Sequence, residues 1–359
     1  MGVILGVFLH FIGGFASGSF YIPYKKVKGW SWESYWLAGG IFSWVVAPLI
    51  ACMLLVPGFW QIITGVSSGT IFWTYIMGVL WGIGGLTFGL SMRYLGMSLG
   101  MAIALGYCAA FGTLIPPLYY DIAGKAGEGE TTFSALLSTS AGNIILLGVA
   151  VCLLGIALCG KAGMMKEKEL PEAEKKAAIK EFNLKKGILV ATFSGILSAC
   201  FSFGLTAGKP IAAAALQTGV DSLWQNNATL VVILLGGLTS NLIWCILLNI
   251  KNKSYHDYTN TNTPLVKNYL FAALAGTTWY LQFFFYGMGS SKMGKYDFSS
   301  WTFHMAFIII ISNLWGLYFK EWKGCSKKTL RTIFLGIAVV ILSTVIVGFA
   351  NYMAAVSAD

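Results

Sequence analysis

Apolar residues in this chain come in long runs, and the polar positions between them are short. Ten runs stand out, over 2–22, 34–56, 70–92, 97–119, 142–160, 187–207, 226–250, 268–290, 298–319 and 329–352. About 20 apolar residues, rising 1.5 Å each as a helix, cross the roughly 30 Å hydrocarbon layer of a bilayer. The pattern therefore predicts an all-α membrane protein with ten transmembrane helices. Two pairs of runs nearly fuse. Arg93-Tyr94-Leu95-Gly96 separates the first pair, and the stretch from Gly289 to Lys295 separates the second. The second break reads as a tight hairpin between two membrane helices.

The longest polar insert is 161–186, rich in Glu and Lys and without an apolar face wide enough to build a core. It reads as a solvated linker. It divides the chain into a first five-helix unit, 1–160, and a second, 187–359. An odd number of helices per unit puts two related units in opposite orientations. Trp81 to Gly96 lies over Trp279 to Gly294 without a gap, so that Trp81 meets Trp279, Phe88 meets Tyr286 and Gly89 meets Gly287. Leu147-Gly148-Val149-Ala150 similarly matches Leu335-Gly336-Ile337-Ala338. The expectation is two inverted five-helix repeats, an arrangement in which secondary transporters hold substrate between the halves near the bilayer midplane.

Charge sets the orientation. Of the 24 Lys and Arg residues, 20 fall in the odd-numbered connections and four in the even-numbered ones. Basic residues stay on the cytoplasmic side. The chain is thus expected to keep its odd loops, including the linker, in the cytoplasm and both termini in the periplasm. The net charge of +10 is confined to these short stretches, which argues against nucleic acid as a partner. Hydrophobic residues make up 57% of the chain and charged residues 11%, well below the roughly 25% of soluble domains. No basic segment precedes the first apolar run, so no cleavable signal peptide is expected.

The seven cysteines form no CxxC pair, and the three histidines are scattered, so no metal site and no cofactor are expected. No nucleophile–base pair, HExxH or P-loop pattern occurs in a usable context, which argues against an enzyme or an ATP-driven pump. A solute carrier needs instead a wet pocket within the membrane. Trp279, Gln282, Phe283 and Tyr286 share one helix face at i, i+3, i+4 and i+7. Aromatic faces suit the C–H face of a sugar, and the Gln amide can donate to and accept from hydroxyls. Trp81 is the repeat partner of Trp279. Asp297, Trp301 and His304 follow at i, i+4 and i+7 on the ninth helix, and His10 is expected at a similar depth in the first. The two imidazoles are then expected in one layer and on one cavity. A buried ionisable group in a membrane points to function, and histidine suits a coupling proton. The candidates for proton coupling are His10, His304, Asp297 and Glu33. Glu33 and Asp297 also fit ordinary first-turn helix acids, and Glu321 fits a surface pair with Lys320. Glycine, alanine and serine cluster at 13–19 in the first helix and at 194–200 in the sixth, where close helix contact is expected.

Phe20 to Glu33 (FYIPYKKVKGWSWE), Trp81 to Gly84 with Ser91 to Ser98 (SMRYLGMS), Glu181 to Gly187 (EFNLKKG), Trp279 to Tyr286 (WYLQFFFY), Tyr296-Asp297, Ser300-Trp301, His304-Met305 and Lys320-Glu321-Trp322 together resemble the L-rhamnose–proton symporter family of the drug/metabolite transporter superfamily. The resemblance spans about residues 6 to 350. It implies ten helices in two inverted repeats. It also implies import of a 6-deoxyhexose, L-rhamnose first, with a proton across the bacterial inner membrane by alternating access. A related sugar such as L-fucose or L-lyxose is the alternative to L-rhamnose on this reading. On this reading Trp279, Gln282, Tyr286, Trp301, His304 and Trp81 contact the sugar. The alternative is an exporter or exchanger of another metabolite or a nucleotide-sugar on the same fold. That would want basic residues deep in the spans, and the nearest, Arg93 and Lys209, sit at their ends.

Overall fold

The computed structural model describes residues 2–95, 97–124, 131–169 and 183–356. Long helices dominate them: α1 (Gly2–Ser19), α2 (Trp32–Leu55), α3 (Ser68–Leu95), α4 (Met97–Ala123), α5 (Ser140–Glu169), α6 (Leu184–Ala207), α7 (Asn227–Asn252), α8 (Leu265–Ser290), α9 (Ser300–Tyr318) and α10 (Lys327–Val356). No strand occurs among the described residues. Short helices at Phe59–Gly65, Phe133–Ser138 and Lys209–Gln217 lie between the long ones.

Nine stretches among the described residues are long and apolar enough to cross a membrane. The expected span at 268–290 is not among them. Its helix, α8, is 26 residues long. It carries Asn268, Trp279, Tyr280, Gln282 and Tyr286, whose polar atoms lower its mean hydropathy. Large apolar side chains such as Leu54, Ile122, Leu189, Val266 and Val345 face outward. A soluble monomer rarely exposes so much apolar surface; lipid is the solvent such a surface fits.

Two details depart from the expected boundaries. α2 is interrupted by a π-helical turn at Phe42–Val46, where the Trp44 ring fills the space a side chain at Gly40 would need. The expected linker 161–186 is shortened at both ends, because Lys161 to Glu169 prolong α5 and Leu184 opens α6. Glu169 is not merely solvated. Its carboxylate accepts from the Ser326 N–H and hydroxyl and from the Thr329 hydroxyl, all at 2.7 Å, which places a negative charge on the first turn of α10. Residues 170–182, the middle of the expected linker, and the side chain of Arg93 lie outside the described residues.

The helices pair in a regular way. α3 packs along α6 and α1 along α8; α3 meets α7 and α2 meets α8; α4 meets α6 and α1 meets α9; α5 and α10 pack on one another. Small residues set these contacts. Gly13 of α1 lies against the backbone of Gln282 and Tyr286 in α8, and Ser194 of α6 donates its hydroxyl to the carbonyl of Gly84 in α3 at 2.8 Å. Gly195 abuts Ala104 and Tyr107 of α4. These approaches leave a central aromatic core, built from Trp44, Phe201, Tyr280, Phe283, Tyr286 and Trp301.

Candidate functional site

The centre of the bundle is organised around Tyr286 of α8. Three rings surround it: His10 of α1 at 5.3 Å between centroids, His304 of α9 at 5.2 Å and Trp301 of α9 at 5.7 Å, the last two edge-on. Both imidazoles are buried, so the expectation that they share a layer holds. Both rings are closely packed by their neighbours. His10 stacks on Phe303 at 5.9 Å and 5°. Its other side rests on Gly289, where an added Cβ would stand 2.7–2.9 Å from the ring atoms. Only glycine permits that approach without displacing the ring.

Beneath this layer Phe283 stacks on Phe201 at 4.4 Å and meets Trp81 edge-on at 5.3 Å. Phe201 also lies over Trp301 at 5.9 Å. Phe201 joins the site from α6 and was not expected. Nothing in the stretch Ser194 to Gly204 singles it out, since Phe203 lies two residues on. The Trp301 indole fills the space that a side chain at Gly112 of α4 would need, and it donates its N–H to the Cys108 carbonyl at 2.9 Å. Its polar atom is thus spent on the scaffold.

Polar atoms inside this apolar setting have few partners. His10 Nδ1 and Nε2, His304 Nδ1 and Gln282 Nε2 are buried without a hydrogen bond. Each such atom costs about 1–3 kcal/mol when it stays unpaired, and these four lie on three side chains beside Tyr286. A polyhydroxyl ligand offers the donors and acceptors that they lack, and the rings of Tyr286 and Phe283 offer apolar faces.

The remaining candidates lie elsewhere. Trp279 is two turns from Tyr286, about 10 Å along the helix. It packs edge-on against Phe20 at 4.1 Å and Trp36 at 5.4 Å, with its indole N–H unpartnered. Glu33 is buried at the end of the bundle that carries the linker. It accepts from Ser254 Oγ at 2.6 Å and Asn252 Nδ2 at 2.9 Å, clamping the start of α2 to the end of α7. Its geometry is that of a tie, remote from the imidazole layer. Asp297 stands at the opposite end, in the short helix Gly294–Ser299, with Lys209 Nζ 3.8 Å from its carboxylate. Glu321 pairs with Lys25 at 3.7 Å and not with its neighbour Lys320. Among the described residues no group of three His, Cys, Asp or Glu side chains could hold a metal ion.

Asp297, Lys209 and Tyr286 border a cavity of about 50 Å³. Its walls include Pro116 and Pro117 of α4 and Ser202 of α6. Pro116 has no N–H, so the Gly112 carbonyl four residues earlier lacks its helical donor. The Ser202 hydroxyl supplies one at 2.8 Å.

Comparison with known proteins gives one consistent answer. A family model described as L-rhamnose-proton symport protein (RhaT) matches residues 1–355. An L-rhamnose-proton symporter of Yersinia pestis (strain Pestoides F) is 41% identical over 351 residues, covering 96% of this chain and 97% of its own length. The L-rhamnose-proton symporter of Yersinia pseudotuberculosis serotype O:1b (strain IP 31758) matches equally well. A bundle of membrane-length helices closed around unpartnered imidazole and amide groups, matched from end to end by these relatives, belongs to the L-rhamnose-proton symport protein family.

Proposed function

We infer that this chain is a secondary transporter that imports L-rhamnose together with protons. It is a multi-pass inner-membrane protein and not an enzyme. The family match over the whole chain and the 41% identity to L-rhamnose-proton symporters support the assignment. The 6-methyl of a deoxyhexose suits aromatic walls, and its hydroxyls suit the unpartnered polar atoms among them.

For the architecture we read α8 as a tenth span and the chain as two inverted five-helix repeats. The helix pairings favour this. When α1–α5 are exchanged for α6–α10, the α3–α6 contact becomes α8–α1, α3–α7 becomes α8–α2, and α4–α6 becomes α9–α1; α5–α10 maps onto itself. In the sequence match, Gly84 falls on Gln282. Ser194 of α6 meets the first and Gly13 of α1 the second. The lysine distribution favours a cytoplasmic linker with both termini periplasmic.

The observation that carries the site is the set of unpartnered atoms on His10, His304 and Gln282 around Tyr286. On this reading Gln282 and His304 bond the sugar hydroxyls and Tyr286 packs its ring. Trp81 and Trp301 back the site, and Trp279 forms a second platform towards the linker end. His10 or His304 carries the coupling proton. Glu33 is a structural tie, and Asp297 belongs to the entrance. Sites alternately open to each side then couple the two solutes. One charge moving down 100 mV supplies roughly 2.3 kcal/mol, about 50-fold accumulation of a neutral sugar.

The test is current evoked by sugars from proteoliposomes on a solid-supported membrane, across L-rhamnose, L-fucose, L-lyxose and D-glucose, with and without sodium. Inward positive charge with L-rhamnose in the absence of sodium is expected. Current only with sodium would replace the coupling ion, and none with any sugar would sink the symport reading. His10→Ala and His304→Ala are compared in the same assay. Retained, pH-dependent coupled uptake in both removes the imidazoles from the coupling role.

A further inference from the structure

α4 and α9 meet towards one end of the bundle and part towards the other. On the side away from the linker, the buried hydroxyls of Thr113 and Thr302 share a hydrogen bond at 2.9 Å. Close by, Trp301 gives its indole N–H to the Cys108 carbonyl. On the linker side, a crevice of about 220 Å³ lies between α4, α5 and α9. That volume exceeds by an order of magnitude the roughly 10–15 Å³ that admits one water. Its deep wall includes Leu105 of α4 with Ile308 and Ile309 of α9. Leu105 is one turn from Cys108, and Ile308 is one turn, about 6 Å, from His304. The crevice thus reaches to within about a turn of the Trp301–His304 layer. Lys166, Glu321 and Trp322 stand at its mouth, beside the ends of α5 and α9.

Between floor and mouth, α9 presents Ser312 and Asn313 to the crevice, both half-buried. Polar side chains that face a cavity from within a membrane span mark the routes of solutes. Asn313 gives an amide N–H to the Ile309 carbonyl at 2.8 Å, and its amide oxygen remains an acceptor. The Ser312 hydroxyl can donate and accept. A lipid tail seated here would offer these groups neither donor nor acceptor. A sugar offers both, and its C–H faces fit Leu105, Ile308 and Ile309.

We propose that the crevice between α4, α5 and α9 is the release subsite for the sugar, in which Ser312 and Asn313 bond its hydroxyls as it leaves the layer around Tyr286 for the linker end. The proposal rests on the reading of the chain as a sugar importer. Alternating access moves parts of a bundle about a fixed central site. Helices bonded beyond that site and parted below it are the arrangement that a carrier needs for release on one side. Asn313 lies nine residues beyond His304, about 14 Å along α9, so a sugar held there has cleared the imidazole layer.

The experiment pairs L-rhamnose binding, by calorimetry on the purified full-length protein, with L-rhamnose counterflow in proteoliposomes. Ala102 lines the crevice from α4, and Ala102→Phe fills it with a ring. This variant is expected to bind L-rhamnose as the wild type does and to lose counterflow. Leu314→Phe, on the exposed face of α9, adds a ring outside the crevice and should keep both. Counterflow at the wild-type rate in Ala102→Phe overturns the proposal and leaves the crevice to a lipid chain. Should Ala102→Phe not fold or not bind, Asn313→Leu decides, since it keeps the volume and removes the amide. It should raise the half-saturating L-rhamnose concentration for counterflow about three-fold or more, the loss of one neutral hydrogen bond. An unchanged half-saturation overturns the subsite. A wild type that neither binds L-rhamnose nor exchanges it refutes the importer reading itself, and the subsite with it.

Discussion

Removing the hydroxyl of Ser202 should destabilise the protein only as long as Pro116 is present. α4 carries Pro116 and Pro117 in its interior, and the missing N–H of Pro116 leaves the Gly112 carbonyl without an in-helix donor. The Ser202 hydroxyl, buried in α6, closes that gap at 2.8 Å. Ser202→Ala leaves a buried carbonyl unpaired, at about 1–3 kcal/mol. In a Pro116→Ala background the alanine N–H can return to Gly112, and the same loss should fall below about 1 kcal/mol. The interaction energy of the cycle is then roughly 1–2 kcal/mol, within the range expected for residues in one hydrogen-bond network. Equilibrium unfolding of the four proteins in mixed micelles measures it. If Ser202→Ala costs the same with and without Pro116, the hydroxyl is not compensating the proline and the reasoning fails. The two sites also border the outer cavity, so the cycle reports on whether its wall is a supported kink.

Three further outcomes follow from packing and charge. Gly276→Ala should destabilise by about 1–3 kcal/mol or prevent accumulation of folded protein, because its Cβ would collide with the Gly39 carbonyl of α2; wild-type monodispersity and unfolding midpoint would refute this. Glu33→Gln should cost about 1.5–3 kcal/mol in unfolding through its charge-assisted bonds to Ser254 and Asn252, while the proton-to-rhamnose ratio in proteoliposomes stays unchanged. A lost ratio would return Glu33 to the coupling machinery. Lys25→Glu should change stability by less than about 1 kcal/mol, since its pair with Glu321 is half exposed, and the swap K25E/E321K should recover what is lost. A larger loss in unfolding that the swap does not restore would show that Lys25 acts through something other than this pair.

What the sequence determined by itself is largely what a bilayer reads locally. Span length follows from a fixed hydrocarbon thickness, so nine of the ten expected spans coincide with helical stretches long and apolar enough to cross a membrane, although Ser140–Glu169 and Leu184–Gln217 run well past the expected ends. The one that falls short, α8, does so because its Asn, Trp, Tyr and Gln residues lower its hydropathy. The helical period alone put Tyr286 with Gln282 and Trp301 with His304, and comparable depth put His10 in the same layer. Partner choice between helices was not legible. Small residues that permit close contact occur on most of these helices, and nothing along the chain says which meets which. Only the tertiary structure brought Phe201 onto Phe283, closed the imidazoles into a packed layer and gave Ser202 to an orphaned carbonyl. It also separated acids that composition treats alike. Glu33 is buried against Asn252 at the end of α7 and Ser254 just beyond it, whereas Asp297 stands beside Lys209 at the head of the short helix Lys209–Gln217 and borders a cavity. The physical reason is that a membrane specifies where a helix begins and ends, while hydrogen bonds and contacts between helices specify what its polar side chains do.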